Sequence, residues 1–189
     1  MLDVDHVKWG LRTCEGGTHP SGTWTRIVPL QSPHYIEVMG IVAAHATPFA
    51  SMLVRRLDER GDHFLGWAVR TDDIDREAHR LRQAPQSGGG ATVRWRTIRP
   101  AVADADDRPF FIQYAGDSGT AYLERQVKVT NSPAQPRAFA WIEIASEPSA
   151  LAEWLGPHDL PIRFTSGARG VHAIAVDAPG GVIELRLPR

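Results

Sequence analysis

The stretch FLGWAVRTDDIDREAHRLRQAP, residues 64–85, decides the fold class. Its opening FLGWAVR is an apolar run with the length and composition of a strand. Asp72 or Asp73 can cap a helix over IDREAHRLRQ, whose acids come early and whose arginines come late, as the helix dipole favours. Pro85 and SGGG (87–90) stop that helix, and two more strands follow, ATVRWRTI (91–98) and PFFIQYA (109–115), with the polar loop PAVADADDR (100–108) between them. A strand, a helix and then further strands make one layered unit with a sheet face to bury.

Working outward, the same order returns at the end of the chain. AFAWIEIAS (138–146) reads as a strand and EPSALAEWLG (147–156) as a helix. IRFTSG (162–167), VHAIAVDA (171–178) and GVIELRLP (181–188) read as strands, with a hairpin signal in DAPGGV. Towards the start, VDHVKWG (4–10), TRIVPL (25–30) and HYIEVMGIV (34–42) read as strands, with no helix after the first. PFASMLVRRLDER (48–60) carries Phe49, Met52, Leu53 and Leu57 at helical spacing between Pro48 and Gly61. Segment 116–137 contains GDSG, NSP and QPR and reads as a linker, with a strand at TAYLERQVKVT. The element order repeats at a period of roughly fifty residues. The predicted class is α+β: repeated βαβββ modules forming an incomplete barrel around a central cleft. The modules are residues 1–60, 61–137 and 138–189, all within one globular domain.

Composition narrows the partners. In 189 residues, 22 acidic against 21 basic side chains argue against nucleic acid, which selects a basic surface. Nineteen of those 21 are arginines, scattered along the chain rather than clustered. A single cysteine, Cys14, excludes an internal disulfide and a thiolate zinc cluster. No apolar run approaches the roughly 18 residues of a membrane span, and MLDVDHVKWG lacks the apolar core of a signal peptide. The expected protein is cytoplasmic and takes a small-molecule ligand. Its exposed strand edges suit a homodimer.

Strand alternation sorts the polar residues by face. In HYIEVMG, Tyr35, Glu37 and Met39 share one face, and Ile36 and Val38 share the other. His6, on the first strand, and Glu37 are the imidazole and carboxylate that a divalent metal uses; a surface histidine and an outward-facing glutamate fit the same spacing. Gln113 is the equivalent polar intrusion in PFFIQYA, suited to weak metal binding or to orienting a ligand. In GGTHPSGTWTR (16–26), His19 and Arg26 suit an anionic substrate group, or the segment is an ordinary Gly/Pro loop. Glu143 and Glu184 read as solvent-facing, and His172 as structural. GDSG (116–119) lacks the strand–elbow–helix setting of a hydrolase nucleophile, and no phosphate-binding glycine loop is present.

DVDHV, GGTHPSGTWTRIVPL, HYIEVMGIV and FLGWAVRTDDIDREAHRL together resemble the glyoxalase-like domain of the vicinal oxygen chelate superfamily, from about residue 2 to the final VIELRL. The resemblance implies paired βαβββ modules and a divalent metal (Zn, Ni, Fe or Mn) acting as a Lewis acid on a substrate with vicinal oxygens. It implies His6 and Glu37 as metal ligands, with Glu37 also the catalytic base. The family's second-module histidine position falls at Gly66, and Gln113 stands where a ligating glutamate would be. The helix usual after DHV is missing, and Thr25 replaces a common asparagine. Two active readings follow: a metal-assisted lyase or isomerase acting on a small carbonyl compound, and a metal-free binder that sequesters its ligand. For the binder, Trp24, Tyr35, Trp67 and Trp95 offer an aromatic wall. A third reading is a structural protein with a vestigial cleft.

Overall fold

The computed structural model describes residues 9–44, 47–89, 93–101 and 106–187. VDHVKWG, apart from its last two residues, lies outside them, and His6 with it. Among the described residues the protein is a mixed α+β fold, with eleven strands in three sheets and four helices. These sheets do not close into a barrel. The chain divides into two compact units: Met1–His63 with Leu123–Phe139 and Val176–Arg189, and Phe64–Tyr122 with Ala140–Ala175.

The first sheet is an antiparallel meander of β1 (Cys14–His19), β2 (Thr23–Pro29) and β3 (Tyr35–Ile41), in that order. The segment GGTHPSGTWTR is therefore half strand and half tight turn: Gly22, at φ 81°, donates its N–H to the His19 carbonyl and closes a hairpin. The register slips between Glu15 and Gly17, and the paired glycines explain it. A Cβ on Gly16 would sit 2.5 Å from Thr25 Oγ1, so only glycine lets β1 approach β2 at the bulge. Opposite, Trp24 lies across Gly40, where a Cβ would come within 2.3 Å of the indole. Helix α1 (Pro48–Arg60) follows, capped by the Thr47 hydroxyl, which accepts from Ala50 N–H at 3.1 Å.

The decisive stretch folds as its pattern predicts. β4 (Ala68–Arg70) leads into α2 (Ile74–Leu81), whose cap is the Asp73 carboxylate accepting from Arg76 N–H at 2.9 Å. β6 (Arg94–Ile98) and β7 (Phe110–Tyr114) follow, but the glycines before β6 also form a strand, β5 (Gln86–Gly89). Trp95 packs so closely on Gly88 that a Cβ there would meet Nε1 at 2.6 Å, so the aromatic ring supplies the apolar cover that glycine lacks. Sheet order is β4-β7-β6-β5, with β4 parallel to β7: one βαβββ unit.

Two expectations are corrected. TAYLERQVKVT is not a strand; it lies in helix α3 (Ser118–Thr130). The more sheltered positions 119, 122, 123, 126, 127 and 130 fall at i, i+3, i+4, i+7 spacing, and this period outweighs the strand preference of Val127 and Val129. The last unit, β8 (Phe139–Ala145), α4 (Pro148–Leu155), β9 (Ile162–Phe164), β10 (Gly170–Ala178) and β11 (Gly181–Arg186), has the predicted element order but a different sheet order, β11-β10-β8-β9. Here β8 pairs in parallel with β9, the strand just after its helix, rather than with the last strand.

Within the second unit, α4 buries Leu151, Trp154 and Leu155, each contributing about 1.5–3 kcal/mol of transfer free energy. Its C-terminal carbonyls are closed by Arg80 of α2, which donates to the carbonyls of Glu153 at 3.0 Å and Trp154 at 2.7 Å. The same guanidinium is held by buried Glu77 through a 2.8 Å bond from Nε.

The Trp24–Gly40 contact is testable. Replacing Gly40 with Ala displaces the indole and should lower stability by about 1–3 kcal/mol. The loss should shrink in a Trp24→Ala background, a coupling that urea unfolding of the four-member cycle would measure.

Candidate functional site

Cross-strand pairs lie on one face of a sheet, so the β1–β2–β3 register sorts the candidate residues without ambiguity. Glu37 pairs with Ile27, which pairs with Cys14; Thr25 pairs with Met39; Thr23 pairs with both His19 and Ile41; Pro29 pairs with Tyr35. Glu37, His19 and Tyr35 therefore share one face. Trp24 pairs with Gly40 and Arg26 with Val38, and these occupy the opposite face. His19 and Arg26 do not converge on one anion, and Trp24 and Tyr35 do not form one wall.

The Glu37 face has its own spacing. Glu37 is exposed at one end, and Thr23 and Thr25 are buried between it and His19. His19 lies level with Ile41, four residues from Glu37, or roughly 13 Å at strand rise. Its Nδ1 is 3.4 Å from the Thr23 hydroxyl, so the ring is already engaged locally. Cys14 is level with Glu37 but two strands away, roughly 10 Å. Burial pushes its thiol up from the usual value, against the opposing influences of Thr130 and Arg26.

In the second unit, Gln113 pairs with Arg96 and lies on the sheet face beneath α2. Its Oε1 accepts from Ile74 N–H at 3.5 Å, and its Nε2 donates to the Asp72 carbonyl. Both ends of the amide thus hold the entry to α2. Arg96 belongs to the same bracket, gripping Asp75 of α2 in a fork with contacts of 2.7 and 2.6 Å. Trp95 pairs with Tyr114 and faces the other way. Glu184 is exposed and pairs with Arg186, and His172 donates from Nε2 to the Ala168 carbonyl at 2.7 Å, as a structural histidine does.

A metal with catalytic function takes three protein ligands within bonding distance of one point. The described donors do not fit that requirement: Glu37 has neither His19 nor Cys14 within reach, and Gln113 is spent on α2. Among the described residues no group of three or more His, Cys, Asp or Glu side chains comes together. His6, the remaining ligand implied by the sequence, lies outside the described residues.

An enclosed polar cluster that sequence reasoning missed lies in the loop before β7. Asp107 is completely buried; its Oδ2 accepts from Ser146 Oγ at 2.6 Å and from Arg169 Nη2 at 3.1 Å. Its carbonyl accepts from Trp67 Nε1 at 3.0 Å, and the Pro109 carbonyl accepts from Trp154 Nε1 at 2.8 Å. Trp67 is therefore a brace for this loop. The one signal available was the run Asp106-Asp107-Arg108-Pro109, which reads equally as a solvated turn.

Three outcomes check these roles. Gln113→Leu should cost about 1–2 kcal/mol by orphaning the Ile74 N–H, with no change in metal content, as measured by unfolding and elemental analysis. Asp107→Ala should cost about 1–2 kcal/mol, through the lost hydrogen bonds to Ser146 and to the half-exposed Arg169. The hydrogen bond from Arg96 holds the Asp75 carboxyl below its ordinary 3.8. A depressed folded-state pKa stabilises above the unfolded value and is lost as pH falls through the folded one. The stability difference between the wild type and Asp75→Asn should hold steady from pH 7 to about pH 5, then close below about pH 4.

No helix among the described residues is long and apolar enough to cross a membrane. No curated protein and no solved structure matches the chain. The family described as glyoxalase-like domain does match it, over residues 3–158, a span that includes the β1–β2–β3 sheet and the whole β4-β7-β6-β5 unit. The chain belongs to the glyoxalase-like domain family, in keeping with the vicinal oxygen chelate superfamily its motifs resemble.

Proposed function

We propose that this protein is a small-molecule-binding member of its family whose cleft does not depend on a tightly held metal. The observation that carries this reading is the commitment of Gln113, the second-module candidate ligand, to the N-terminus of α2. A side chain whose amide is engaged at both ends by the start of α2 is a poor donor for a metal or a substrate. In this reading the ligand is held mainly by apolar contact with a few polar anchors, as small-molecule sites usually are.

A second reading has one observation in its favour. Glu37 is exposed on β3, at the edge of its described sheet. The family resemblance implies His6 as the imidazole partner of Glu37, and the two together would hold Zn, Ni, Fe or Mn with waters completing the sphere. Glu37 would then serve as base in a lyase or isomerase acting on a small carbonyl compound.

Elemental analysis of the purified protein separates the two. The binder reading expects well under one metal per chain, unchanged in His6→Ala and Glu37→Ala, together with tryptophan fluorescence quenched by aromatic ligands. Stoichiometric metal that disappears in both variants would overturn it and establish the metal-assisted reading. Fluorescence unmoved by any aromatic or carbonyl compound in a diverse panel would count against the binder directly.

A further inference from the structure

We draw no further inference here: the strongest candidate, the second carboxylate oxygen of Asp107, buried without a hydrogen-bond partner in the loop before β7, belongs to a carboxylate already neutralised by Arg169 and Ser146, and nothing in the structure shows what would fill the space beside it.

Discussion

The constraint on which the candidate site depends is the two-residue period of β2, locked by its neighbours on both sides. Seven consecutive residues of β2 pair with β3, and the bulge at Glu15–Gly17 fixes where β1 joins. A slip of one residue would exchange the two faces completely. Two contacts oppose that slip. Thr25 seats against the Cβ-free Gly16, and Trp24 seats against the Cβ-free Gly40. They act on opposite faces, so a shift in register that relieved one would drive a side chain into the other. Placement of Glu37 with His19 and Tyr35, and of Trp24 with Arg26, follows from this lock and not from the polarity of the residues.

Charge is used in the second unit mainly to hold helices and loops. Arg80 satisfies carbonyls at the end of α4 while Glu77 fixes its guanidinium; Arg96 and Gln113 hold the start of α2; Asp107 gathers Ser146 and Arg169. Helix ends leave backbone groups that must find partners, and a βαβββ unit with short helices has many such groups for its size. Arginine answers this need well because its planar fork can serve several acceptors at once. An arginine-rich composition and a near-neutral net charge are thus compatible: in this unit Arg76, Arg80, Arg96 and Arg169 answer to carboxylates or carbonyls of the same chain.

The elements that were legible in the sequence carried strong local signals. The pair Asp72-Asp73 announced α2, Pro48 and Gly61 bounded α1, and Gly156 ended α4. Those that were not legible depended on a distant partner. QSGG is a strand because Trp95 covers it, and residues 118–130 are a helix because their sheltered stripe has a period that the strand preference of Val127 and Val129 obscures. The alternation in HYIEVMG correctly sorted Glu37 from Ile36 and Val38, since period two is a property of the strand itself. Which strand lies opposite, and hence whether two polar residues meet, is a property of pairing. His19 and Arg26 are close in sequence and separated by the thickness of the sheet.

This difference bears on how far family membership reaches into chemistry. The family match extends over residues 3–158, and a fold can persist while the site it carries changes. A Lewis-acid centre depends on three or four donors meeting at one point, and the loss of one is enough to weaken it steeply. Gln113 illustrates the asymmetry. Its amide does something a carboxylate there could not do equally: it accepts from the Ile74 N–H while donating to the Asp72 carbonyl, which a glutamate would face with its own negative oxygen. The residue at this position therefore fits the requirements of a helix entrance better than those of a metal. The commitment of this central strand position to the scaffold is the physical ground on which the proposed binder reading rests.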